Sequence, residues 1–415
     1  MTRTQEAPTL FDSAYYQDPY SVYDWLRVNS PVHSFRFPVG DVPMVFLSRY
    51  DDVKELLTDQ RFSNDGAAWG SEQFKQSGMI FGADTLIGRI LTVLDPPDHT
   101  RVRKLAMGAF TPRRAATWTE PVERIVQEAL DDLAKSDRPD VMDFASKIPA
   151  VVTGEILGFP LDRFADMLHA IERAFRAEPD NPNNEAEVSA AFEEIVTYGR
   201  ELIVEKRRNP GDDLTSVFIQ ARDGEDRLTE DELVSMVAVM IMAGIDTTRN
   251  LIGSAVLGLL DHPEQRKLLV DNEALAGPAV EEFLRYDGAF CVGLFRIAKE
   301  DLVLKGVPVP AGTPVVAGLQ SANHDPEKYS EPNRLDITRE GPRHLALGHG
   351  LHNCMGAALA RLETGIAVPA LLRRFPQMRL SIPRSEVLFE ENWLLRSLPN
   401  LPVDLYGDGP RPAAK

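Results

Sequence analysis

Between residues 229 and 260 the sequence carries one uninterrupted helical pattern of roughly thirty residues, well above the usual helix length. Thr229, Glu230, Asp231 and Glu232 form a capping box, in which hydroxyl and carboxylate satisfy each other's backbone N–H groups. No proline follows before Leu260. The stretch 233–245, LVSMVAVMIMAGI, is apolar but runs directly into Asp246, Thr247 and Arg249, which a bilayer core penalises. This is a helix buried in protein. The expected fold is therefore mainly α with small β-sheets, built around one long central helix. An acid and two hydroxyls inside such a helix cost free energy unless they are bonded or used. The Thr247 hydroxyl can bond the Ala243 carbonyl one turn back, and Gly244 leaves room beside it.

The chain has 415 residues, 43% of them hydrophobic, enough for a substantial core. It shows no internal repeat or low-complexity linker, so one domain over residues 1–415 is expected. With 63 acidic against 45 basic residues the formal charge is −18, which argues against nucleic acid as a partner. The two cysteines, Cys291 and Cys354, exclude a disulfide framework, and the first residues lack the apolar run of a signal peptide. A cytoplasmic protein with no membrane association is expected. Short strands are expected in PVHSFRF and PMVFLS, and a small sheet in DLVLKGVPVPAGTPVVAG. A helix should begin near Pro278 and carry AVEEFLRY, and another should follow residue 355 with Cys354 at its start.

Cys354 stands among Gly348, Gly350, His352 and Gly356. A thiolate at a helix start is stabilised by free N–H groups and the helix dipole, which lowers its proton affinity. It can serve as a nucleophile with His352 as base, as a zinc ligand near His344 and His349, or as an axial ligand to heme iron. It can also be a buried apolar cysteine. A second cysteine pair for zinc is missing, but this residue alone does not choose among the others.

Three further segments narrow the choice. The run Gly348-His-Gly-Leu-His352-Asn-Cys354-Met-Gly356 resembles the heme-binding loop of the cytochrome P-450 superfamily, with the soluble bacterial members as the nearest in kind. In matching order, Glu282-Phe-Leu-Arg285 resembles that family's Glu-x-x-Arg helix, and Ala243-Gly-Ile-Asp-Thr-Thr248 its oxygen-activation helix. Asp95-Pro-Pro-Asp-His99-Thr-Arg-Val-Arg103 resembles its heme-propionate segment.

The resemblance implies heme b with Cys354 as the proximal iron ligand, and a thiolate there favours O–O cleavage. It implies that Ala243, Gly244, Leu347, Gly348 and Gly356 lie against the cofactor. Leu347 and Leu335 replace phenylalanines usual in the family. His99, Arg103, Arg296 and His352 would serve the propionates, which need cationic or hydrogen-bonding partners when buried. Glu282, Arg285 and Arg334 would form a structural network. Asp246 and Thr247 would carry oxygen activation, which points to a monooxygenase and away from peroxide use.

Ile87, Val239, Met242, Phe290, Cys291, Val292, Leu394 and Leu395 would line the pocket for a small organic substrate, with a lid loop over 176–189. Expected outcomes are hydroxylation, epoxidation or oxidative ring formation in natural-product tailoring. Electrons from NAD(P)H are expected through a ferredoxin reductase and a ferredoxin. Arg101, Lys104, Arg113, Arg114 and Arg361 are docking candidates for that acidic partner. A heme-thiolate sensor or a silent recruitment domain is the alternative.

Overall fold

The computed structural model describes residues 7–77, 79, 89–107, 110, 112–159, 163–175, 184–222 and 228–407. Its central helix spans Glu230–Asp261. The capping box closes as expected: the Glu232 N–H donates to the Thr229 hydroxyl at 3.1 Å, and the Thr229 N–H to the Glu232 carboxylate at 2.8 Å. Helices Val141–Leu157, Asn184–Arg208, Ala276–Asp287 and Ala357–Arg374 pack around it. Ile241, Ile252, Val256 and Leu259 are all fully enclosed. Each such side chain contributes about 1.5–3 kcal/mol of transfer free energy. Gly253 sets the closest approach, since a Cβ there would lie 2.4 Å from the Met142 sulfur of helix Val141–Leu157.

The main sheet joins the two ends of the chain. Its strand order is β1 (Val32–Phe37), β2 (Val42–Leu47), β7 (Pro314–Ala317), β4 (Arg296–Ala298), β3 (Phe62–Ser63). Strands β1 and β2 are antiparallel, with Val32 opposite Leu47. Strand β2 runs parallel to β7, with Val45 opposite Val315, so the helical body is the crossover between them. Strand β4 lies antiparallel to β7, and this places Arg296 at a fixed register opposite Val315. The hairpin β5 (Leu302–Leu304) to β6 (Val307–Val309) turns through Lys305 and Gly306, both at positive φ, as a tight two-residue hairpin turn requires. Strands β8 (Arg379–Leu380) and β9 (Val403–Asp404) complete the set among the described residues.

Several expectations change in detail. Cys354 is not within a helix: the following helix begins at Ala357 with Gly356 as its cap. Pro278 is the third residue of helix Ala276–Asp287, because a single 3-10 turn, Glu273–Leu275, leads directly into it. Of the expected lid loop, residues from Asn184 onward are helical, and 176–183 lie outside the described residues, as does Ile87. Among the described residues no helix is long and apolar enough to cross a membrane.

His324 is buried between Tyr20 and Tyr286, with Nε2 2.7 Å from the Tyr286 carbonyl and Nδ1 2.8 Å from the Asn333 amide. Burial first, and then the nearby Arg285 charge, bring its pKa down to about 3. An unfolded histidine titrates near 6.5, so between these values the unfolded chain binds the extra proton. The contribution of His324 is therefore complete above about pH 6.5 and is lost as pH falls toward 3. Relative to His324→Gln, the native chain should lose about 1 kcal/mol per pH unit over that window, read from urea unfolding at several pH values. A pH-independent difference between the two proteins would refute it.

Candidate active site

The loop around Cys354 is shaped by its own backbone bonds. The Cys354 N–H donates to the Leu347 carbonyl at 2.9 Å, and the Asn353 side-chain amide donates to the Leu347 and Gly348 carbonyls at 3.2 and 3.1 Å. Gly350 lies at φ +73°, and a Cβ there would come within 2.8 Å of Thr58. Sequence reasoning passed over Asn353, which fastens the loop across its neck; its position beside the cysteine was the only available signal.

The Cys354 thiol is pushed up by burial, with the Gly356 N–H and the charges of Arg103 and Arg361 acting in the opposite sense. Burial thus outweighs the helix start, and the expected lowering of proton affinity does not hold for the protein alone. Yet the Cys354 side chain is exposed. A sulfur set deep in the protein and still exposed faces an internal surface. Across the middle of the central helix, Met240, Ala243, Gly244, Asp246 and Thr247 also retain accessible surface, while Val239, Met242 and Ile245 are buried. The Thr247 hydroxyl donates to the Ala243 carbonyl at 2.7 Å. Asp246 lies 3.6 Å from Arg249, which also bonds the Ser146 hydroxyl at 2.8 Å.

Four basic side chains from distant parts of the chain meet here. His99 is fully buried, both its ring nitrogens lack a partner, and its ring centroid is 4.1 Å from that of His352. Burial, then the charges of Arg296, His99 and Arg103, hold His352 down at about 3. Burial also lowers Arg296 to about 10, with Asp95 as the opposing charge. Asp95 is itself engaged by the Ser63 hydroxyl and by the Asn64 N–H at 3.0 Å. Arg103 spends one N–H on the Asn353 carbonyl at 2.6 Å. A buried arginine, a half-buried one and a buried imidazole with no partner together offer more donors than the protein's own acceptors use, which suits an anionic ligand. Two carboxylates on a planar apolar ring, with a metal above a thiol, match this donor set. Heme fits.

A cavity of about 940 Å³ among Arg138, Glu386, Asn400 and Tyr406 touches neither Cys354 nor the central helix. The chemistry of the donors decides the matter.

The pocket candidates are mostly closed. Val239 and Met242 pack into the main core, and Cys291, Val292, Leu394 and Leu395 into an amino-terminal cluster with Tyr15 and Tyr23. Burial pushes the Cys291 thiol up to about 12, and its backbone is pinned by a 2.9 Å bond from its N–H to the Leu394 carbonyl. Cys291 therefore packs in this core as a small buried residue. Of the described candidates, Phe290 alone is more than marginally exposed.

The network on Glu282 differs from expectation in one member. Arg285 forks onto Glu282 at 2.7 and 2.8 Å, and the second guanidinium on that carboxylate is Arg339 at 3.2 Å, not Arg334. Arg334 contributes only its carbonyl, accepting from Arg285 at 3.2 Å and Arg339 at 2.8 Å, while its side chain turns outward to Glu331. Glu331 itself sits at φ 47°.

Some docking candidates are locally neutralised. Arg101 pairs with Glu232, Arg361 with Glu281, and Arg114 donates to the Asp212 carbonyl at 3.1 Å. The Arg113 side chain lies outside the described residues.

Fold and site together define a heme-thiolate protein, and comparison with known proteins agrees. The cytochrome P450 family model matches residues 10–273 and 274–402. The chain is 42% identical over 367 residues to cytochrome P450 CYP107DY1 of Priestia megaterium, covering 86% of this chain and 88% of that protein. It is 35% identical over 399 residues to the polyketide biosynthesis cytochrome P450 PksS of Bacillus subtilis, covering 94% and 96%. It superposes on myxobacterial cytochrome P450 CYP267B1, solved with myristic acid, at a TM-score of 0.90, 33% identity, and coverage of 96% and 98%. The chain belongs to the cytochrome P450 family. It is a monooxygenase of that family.

Proposed function

We propose that this monooxygenase inserts one atom of dioxygen into a small, largely apolar organic substrate during natural-product tailoring. Electrons come from NAD(P)H by way of a ferredoxin reductase and a ferredoxin. The observation that carries this reading is the Asp246 and Thr247 pair, which keeps accessible surface in the middle of an otherwise buried helix. A heme sensor or recruitment domain has no use for an acid and a hydroxyl at that position. The likeness to a P450 of polyketide biosynthesis, and to one that holds myristic acid, supports the substrate class.

In this reading Cys354 would hold the iron, with Leu347, Gly348 and Gly356 shaping the cysteine loop. Ala243 and Gly244 would leave space at the central helix. His99, Arg103, Arg296 and His352 would hold the propionates. Heme with a thiolate ligand supplies the activation of dioxygen that no side chain can perform. The protein supplies protons and exclusion of water. Thr247, tied to the Ala243 carbonyl, presents its oxygen toward the accessible face of the helix and orders a water there. Asp246 shares Arg249 with the Ser146 hydroxyl and can pass a proton from solvent toward that water as Arg249 shifts between them.

The test is reconstitution with ferredoxin, reductase and NAD(P)H, after a compound screen by the spin-state shift of the ferric Soret band. Substrate-dependent oxygen consumption with an oxygenated product is expected, and binding without turnover would favour the sensor. Thr247→Ala should still consume NAD(P)H but lower product formed per NAD(P)H by about tenfold, less than the roughly 10²–10⁴-fold of a general acid itself, because Thr247 orders the proton-carrying water and is not the donor. Unchanged coupling would remove Thr247 from proton delivery.

A further inference from the structure

Glu281 is next to Glu282 in sequence but faces different partners. Its carboxylate accepts from Arg361 Nε at 2.5 Å and Arg361 Nη2 at 3.0 Å, and from His344 Nε2 at 3.2 Å. The His344 Nδ1 accepts the Ala346 N–H at 3.2 Å, so the ring proton is on Nε2 and points at Glu281. These partners flank the cysteine loop on both arms. His344 stands just before residues 345–347, where the Leu347 carbonyl receives the Cys354 N–H. Arg361 stands early in helix Ala357–Arg374, which leaves the loop, and touches the Ala357 carbonyl at 3.4 Å. Burial would push the Glu281 carboxyl up, but the hydrogen bonds from His344 and Arg361 and the Arg361 charge outweigh it and hold it at about 2. Glu281 is therefore an anion at every working pH. Arg361 lies close enough to Cys354 for its charge to bear on the sulfur.

We propose that Glu281 is a positioning residue for the metal-binding sulfur: it ties together the two arms of the Cys354 loop and cancels the positive field of Arg361, and so sets the reduction potential of the iron. This rests on the reading of Cys354 as the iron ligand. A positive charge beside the ligand favours the reduced centre, which carries one more negative charge, and a fixed carboxylate on that cation removes the effect. The Arg361 and Glu281 side chains keep 29% and 43% of their exposure, so solvent screens part of the field.

The experiment is a spectroelectrochemical titration of the heme-loaded full chain. Glu281→Gln keeps the shape and loses the charge. It should shift the ferric–ferrous equilibrium toward the reduced form by about tenfold, ~59 mV for one electron. Arg361→Gln should move it the other way, and the double variant should return to within about twofold of the native value. A merely structural role would lower heme content or thermal stability without opposed signs. Potentials unchanged in both single variants, or moved in the same direction, overturn the proposal. Should Glu281→Gln fail to hold heme, Arg361→Gln and the double variant carry the comparison: a downward shift reversed in the double supports it, and no reversal overturns it. A native protein without the red-displaced ferrous carbon-monoxide band would sink the ligand assignment and this inference with it. A native protein with that band and unmoved variant potentials would sink this inference alone.

Discussion

Cys354→His abolishes the red-displaced absorption of the ferrous carbon-monoxide adduct and lowers monooxygenase turnover by at least about 10³-fold, ~4 kcal/mol of barrier. An imidazole can hold the iron but is neutral and gives less electron density than a thiolate. Heme content should change far less, because His99, Arg103 and Arg296 lie on other segments and their proposed hold on the propionates is untouched. That contrast is the measurement: pyridine hemochrome content against carbon-monoxide difference spectrum and product formation. Full turnover with an unshifted band in the variant would mean that another residue holds the metal.

Glu282→Ala should cost about 3–5 kcal/mol of stability, because it leaves Arg285 and Arg339 as buried charges without their carboxylate. It also strands the Asp336 N–H, which donates to Glu282 at 2.9 Å. Arg334→Ala is the control. Its guanidinium is half exposed on Glu331, and its carbonyl survives the substitution, so the change should stay within about 0.5 kcal/mol. Urea midpoints of the two variants distinguish a network centred on Arg339 from one centred on Arg334. Equal losses would restore Arg334 as the third member.

These two sites differ in how far the amino-acid sequence announces them. The central helix was legible nearly to the residue, because its cap and its apolar run are local properties. The Thr247 bond to Ala243 was legible for the same reason. The direction of Arg334 was not, since two nearby arginines, Arg334 and Arg339, could each reach Glu282 and only the folded chain selects Arg339. The proton affinity of Cys354 depends on how much protein surrounds it, and the local helix start gave the opposite sign. The basic docking candidates read as a patch only because their acidic partners, Glu232 and Glu281, lie far away in sequence. Cys291 packs among the amino-terminal tyrosines, as a small buried apolar residue does.

The parallel pairing of β2 with β7 has a consequence for biosynthesis. Val45 waits for Val315, and β4, which carries Arg296, joins through the same strand. Most of the polypeptide must leave the ribosome before that ladder can form, and loops of such length close slowly. The strand that carries Arg296 is thus among the last parts of the sheet to find its place.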